Sequence, residues 1–107
     1  MTNVFEATDP RGRRVTCTDE TWENHILTGH PIMEGQEGDV QAAIQKPTIG
    51  IFRDAHFEDR EVYYLLKRRT YVKVVVRFDG DVGTVITAFE TDSPKRGERM
   101  IWPVSSD

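Results

Sequence analysis

Tyr71-Val72-Lys73-Val74-Val75-Val76-Arg77-Phe78 decides the fold. Its β-branched density marks a central strand. Successive side chains in a strand alternate between faces, and the two faces differ here. Val72, Val74, Val76 and Phe78 form a uniformly apolar side that calls for a cover of helices. Tyr71, Lys73, Val75 and Arg77 form a mixed side, fit for solvent or a ligand. Working outward, Glu61–Arg68 joins this strand through Arg69-Thr70 as a hairpin. Val82–Glu90 follows across Asp79-Gly80-Asp81, with Val85-Ile86-Thr87 as a second β-rich run. Thr48–Arg53 supplies a fourth strand.

Upstream, Val4–Thr8 and Arg13–Cys17 flank Asp9-Pro10-Arg11-Gly12, good turn chemistry for a short hairpin. Thr18-Asp19-Glu20 is a capping hydroxyl followed by two acids, which starts a helix. Trp22, Ile26 and Leu27 give that helix its apolar stripe. Gly29 can take the left-handed C-terminal conformation and Pro31 stops the run, so the helix spans about Asp19 to Thr28. A second helix fits Glu37–Gln45, with Val40, Ala43 and Ile44 inward and Lys46-Pro47 as its stop. The tail from Thr91 to Asp107 is polar and turn-rich, with Ile101 and Trp102 able to pack back. The expected fold class is α+β: an N-terminal hairpin, then two helices packed on one face of a four-stranded antiparallel sheet. Residues 1–107 should form a single domain.

The chain has 107 residues, 37% hydrophobic and 30% charged, a polar globular composition. No apolar run approaches the ~20 residues of a membrane helix, and Met1-Thr2-Asn3-Val4-Phe5-Glu6 lacks the basic-then-apolar pattern of a secretory leader. Cys17 is alone and cannot form an internal disulfide. A cytoplasmic protein without a membrane partner is expected. The net charge of −4 argues against a nonspecific nucleic-acid binder. The charge is segregated, however: residues 1–52 carry 4 basic and 8 acidic groups, whereas residues 53–77 carry 7 and 4. The cationic stretch therefore falls on the strands.

His25 and His30, in Trp22-Glu23-Asn24-His25-Ile26-Leu27-Thr28-Gly29-His30-Pro31, are the prime chemical candidates. Imidazole gives or takes a proton near neutral pH. Five positions on a straight helix separate two side chains by roughly 140°, so a bend at Gly29 is needed to bring the pair together. The plainer reading packs His25 beside Trp22 and leaves His30 decorating a helix end. A zinc site would need Cys17 and His56, which stand at no recognised metal spacing, so no cofactor is expected. Tyr63-Tyr64 points one ring to each face of its strand, with Lys67 on the Tyr63 side. Thr87 lies within an apolar strand, where a threonine is ordinarily a plain β-former. Two imidazoles facing a sheet that carries hydroxyl and cationic groups are the minimum kit for metal-free RNA cleavage.

The order of these motifs carries a resemblance. It runs through Trp22-x2-His25-Ile26-x3-His30-Pro31, Ile44-x2-Pro47, Tyr63-Tyr64, Val74-Val75-Val76 and Val85-Ile86-Thr87-Ala88-Phe89, over about residues 13–90. In this order the chain resembles the phage-associated branch of the barnase–EndoU–colicin–RelE nuclease superfamily, small metal-independent RNase domains. The resemblance implies helices on a four-stranded antiparallel sheet, with RNA lying over residues of both. It implies catalytic roles for His25, His30, Tyr63 or Tyr64, and Thr87. Arg60, Lys67 and Lys73 are added as substrate-binding groups from charge and position. An RNA substrate and a cognate antitoxin or immunity protein are the implied partners. The alternative is a nonenzymatic nuclease-like module, a phage accessory or immunity-type protein, docking a basic partner through acidic residues 1–52.

Overall fold

The computed structural model describes residues 2–104. Strands β1 (Asn3–Thr8) and β2 (Arg14–Thr18) lead into helix α1 (residues 19–29). A single 3-10 turn, Pro31–Met33, and helix α2 (Glu37–Gln45) follow. Then come β3 (Ile51–Arg53), β4 (Arg60–Leu66), β5 (Tyr71–Asp79), β6 (Val82–Thr91) and β7 (Arg99–Trp102).

These elements build a sheet that differs from the expected one. It has seven strands, not four, in the order β1-β2-β6-β5-β4-β3-β7, and it is mixed, not antiparallel. Two local facts cause the difference. The N-terminal hairpin does not stand apart: β2 pairs in parallel with the start of β6, Arg14 opposite Val82 and Thr16 opposite Thr84. At the other edge, Arg99–Trp102 adds to β3 as an antiparallel strand. Three- and four-residue strands are too short to show alternation, so the tail read as turn. The last three residues of that tail, 105–107, lie outside the described residues.

The helices are also slighter than two packed layers. Thr18 Oγ1 accepts from the Thr21 amide at 3.1 Å and starts α1, with Asp19 and Glu20 in its first turn. Residues Trp22–Ile26 then widen into a π-helical turn, in which the Leu27 amide donates to the Trp22 carbonyl. Gly29 does not take the left-handed conformation. The helix ends instead at His30, whose φ of −140° leaves the helical region. Trp22 and Ile26 of α1 join Val40, Ala43 and Ile44 of α2 over Val72, Val74 and Val76, forming the main core. Gly83 permits one close approach there: a Cβ on it would meet the Val76 side chain at 2.7 Å and the Phe78 ring at 2.9 Å.

The opposite face is covered at one end. Val62, Tyr64 and Val75 form a second apolar cluster, flanked by Ile49, Phe52, Tyr71 and Ile86. The segment before β7 crosses it, held by Glu98. That carboxylate accepts from the Tyr64 hydroxyl and pairs with Lys73 Nζ at 2.8 Å. The far end of this face, where α1 runs beside β6, stays open.

Candidate functional site

Sheet register lines up the open end. On the face away from the main core, Arg60 of β4 stands opposite Arg77 of β5, and Arg77 stands opposite Thr84 of β6. One residue later β6 carries a bulge: Val75 pairs with Thr87 but Val76 with Val85, leaving Ile86 as the extra residue. Bulges recur beside functional sites because they re-aim side chains locally. β2 pairs with β6 only as far as Thr84, so the next stretch of β6 lacks a strand on that side. Helix α1 packs there instead. It brings Thr21 and His25 to face the row of sheet residues across a cleft of about 230 Å³ floored by Val85 and Ile86. The volume is below the ~300–1,000 Å³ of drug-sized ligand sites.

The electrostatics of the cleft are one-sided. Two guanidinium groups, an imidazole and two hydroxyls line it, and no carboxylate does. Like charges directly opposed on neighbouring strands destabilise a sheet, and Arg60 faces Arg77 in that relation. Among the described residues neither arginine makes an ion pair. Arg60 lays its guanidinium over the Phe57 ring, 3.9 Å from the centroid, and its Nε is buried without a hydrogen-bond partner.

Other arginines are neutralised on the core side. Glu61, next to Arg60 in β4 and pointing the other way, meets Arg11 at 2.5 Å, Arg13 at 3.3 Å and Arg53 at 3.4 Å. Arg11 also pairs with Asp9 at 2.7 Å, and Tyr63 donates its hydroxyl to Asp9 at 2.7 Å. Burial alone would raise the Asp9 carboxyl, but hydrogen bonds from Arg11, Tyr63 and the Arg13 amide outweigh it and hold the group below the usual carboxylate range. Burial and the Asp9 charge push the Tyr63 phenol far above its ordinary value.

The residues singled out from sequence are therefore dispersed. His25 and Arg60 reach the cleft. His30 does not: its ring stacks on Phe89 with centroids 4.9 Å apart. Tyr63 is fully buried in the main core. Tyr64 lies under Glu98 on the other face, its phenol pushed upward by burial and that carboxylate. Thr87 stands opposite Val75, outside the cleft lining. Lys67 is held on the helix side by Asp39 at 3.0 Å, and Lys73 is buried against Glu98.

Thr21, Arg77 and Thr84 line the cleft without having been singled out as site residues. Arg77 is visible in sequence as a cation on the mixed face of β5. Thr21 and Thr84 carry no comparable signal, because they depend on where α1 meets β6. Among the described residues, no three His, Cys, Asp or Glu side chains gather as metal ligands, and no helix is long and apolar enough to cross a membrane. No protein-family model matches the chain, and no curated protein or solved structure matches it.

Proposed function

We propose that the protein is a metal-independent endoribonuclease that holds a phosphodiester of RNA in the His25 cleft. One observation carries the reading: two arginines that make no ion pair among the described residues, opposed across strands, share a carboxylate-free cleft with an imidazole and two hydroxyls. Arginine's planar fork of donors matches a phosphate, and an anion there relieves the repulsion between Arg60 and Arg77.

RNA brings its own nucleophile, the 2′-hydroxyl. His25 as a neutral imidazole accepts the 2′ proton. The 2′ oxygen bonds to phosphorus as the bond from phosphorus to the 5′ oxygen breaks, and that oxygen takes a proton from water entering the open cleft. Arg60 and Arg77 balance the charge building on the phosphoryl oxygens, while the Thr21 and Thr84 hydroxyls donate to them. The products are a 2′,3′-cyclic phosphate and a 5′-hydroxyl end.

The test is incubation of purified protein with end-labelled RNA in EDTA. Cleavage leaving cyclic-phosphate ends is expected, with His25→Ala slowing it by about 10²–10⁴-fold, the usual contribution of a general base. His30→Ala is expected to cost less than about threefold. Intact RNA, or an active His25→Ala variant, refutes the reading. A second reading, a nonenzymatic module that grips a phosphate-bearing partner, is favoured by the placement of His30 on Phe89, which leaves one imidazole in the cleft. It predicts tight RNA retention without new ends.

A further inference from the structure

Phe57 is a large apolar side chain left 49% exposed, and it sits on a turn built to hold it still. Asp54 Oδ2 accepts from the amides of His56 at 2.8 Å and Phe57 at 2.9 Å. The Asp54 amide donates to the Arg60 carbonyl at 3.0 Å, and the Arg60 amide to the Phe57 carbonyl at 3.3 Å. The base of the turn is fixed again by the Phe78 amide donating to the Asp59 carbonyl at 2.8 Å. Two amide hydrogen bonds also hold the Asp54 carboxyl low although burial opposes them, so the turn stays latched at neutral pH. Arg60 joins the two regions: it lines the cleft and covers one side of the Phe57 ring.

We infer that Phe57 is a stacking platform for a nucleobase, placed one step from the phosphate position, and that the cleft's substrate is single-stranded. The inference rests on the phosphate reading of the His25 cleft and deepens it. A rigid aromatic beside a phosphate-binding arginine offers a π-face to an unpaired base, and every base has a π-face in return. Paired bases are stacked on their neighbours inside a helix and cannot reach such a ring; unstacked loops and ends can. The aromatic surface is thus specific for strandedness, not for sequence.

The experiment uses the full chain and two 2′-O-methyl hexanucleotides that cannot be cleaved, one with bases and one abasic, matched in phosphate charge. Stacking of one base by an aromatic is worth about 1–3 kcal/mol, so the base-bearing hexamer should bind about 5- to 150-fold more tightly than the abasic one. Phe57→Leu, which keeps an apolar cover for Arg60, should remove most of that ratio, and Phe57→Trp should restore it. Neither change should shift the melting temperature by more than a few degrees at so exposed a position. A ratio near one in the wild type, or a ratio unchanged in Phe57→Leu, overturns the stacking assignment alone. Failure to bind either hexamer overturns it together with the phosphate reading. Equal loss of both hexamers in Arg77→Ala, with their ratio kept, is the pattern expected when the two sites act side by side.

Discussion

Replacing Glu61 with glutamine should cost this protein a large part of its stability. The carboxylate is 2% exposed and holds three guanidinium groups, at 2.5, 3.3 and 3.4 Å. Glutamine keeps the shape, removes the charge and turns one acceptor into a donor that faces other donors. Breaking a fully buried ion pair costs about 3–5 kcal/mol. Here the Arg11, Arg13 and Arg53 side chains are 22–31% exposed, so water recovers part of their solvation and the expected loss falls to about 2–3 kcal/mol. For a domain near 100 residues each kcal/mol moves the melting temperature by about 4–8 °C, giving a drop of roughly 10–20 °C. Urea unfolding followed by circular dichroism at pH 7 measures it, with the exposed Glu58→Gln as control at under about 0.5 kcal/mol. A loss below about 0.5 kcal/mol for Glu61→Gln refutes the reasoning, because the arginines would then be held by solvent and not by the carboxylate.

Asp9 adds a pH dependence. Its folded-state pKa lies below the unfolded value, so its stabilisation is complete above about pH 4 and fades as pH falls through the folded value. Stability should drop from pH 5 toward pH 2, and Asp9→Asn should make that slope shallower without abolishing it, since Asp54 is also held low; an unchanged slope contradicts the assignment. Thr84→Val should slow RNA cleavage by at least about tenfold, on the scale of losing an oxyanion donor, whereas Thr87→Val should stay within about twofold; the reverse ranking in initial rates would move the site along β6. Cys17 is buried, with its thiol pushed up to about 12 by burial. A disulfide reagent at pH 8 should label it only on unfolding, and rapid labelling of the native protein would contradict that burial.

Local structure was far more legible in the sequence than assembly. The capping hydroxyl of Thr18, the 37–45 helix and the alternation in Tyr71–Phe78 each depend on residues a few positions apart, and the chain states them directly. The sheet's extent does not work that way. Whether Arg14–Thr16 pairs with Val82–Thr84 depends on two segments nearly 70 positions apart, and Arg99–Trp102 becomes a strand only because β3 offers it an edge. The site inherits this limit. His25 and Arg60 were visible as an imidazole and a cation, but the π-helical turn at Trp22–Ile26 and the bulge at Ile86 decide what meets them. Neither leaves a pattern in composition. The bend expected at Gly29 failed for the same reason: the glycine permits a left-handed turn, but the packing of α1 on β6 does not require one.

The sheet's use of arginine gives the cleft its physical meaning. Side chains alternate along β4, so Arg60 and Glu61 serve opposite faces although they are neighbours in sequence. Toward the core, Glu61 and Asp9 gather Arg11, Arg13 and Arg53, and the Phe78 ring lies under Arg13 at 4.8 Å. Toward the open face, Arg60 meets Arg77 with no acid between them. Were this charge pattern selected for stability alone, an acidic residue in place of Arg77 would relieve it at no cost to packing, because Arg77 is exposed. Arg53 also stands opposite an arginine, Arg99 of β7, but Glu61 neutralises it, whereas no ion pair among the described residues does the same for Arg60 and Arg77. An unrelieved cross-strand repulsion marks a place where local stability yields to another demand. An anion seated between the two guanidinium groups is the simplest demand that the geometry meets.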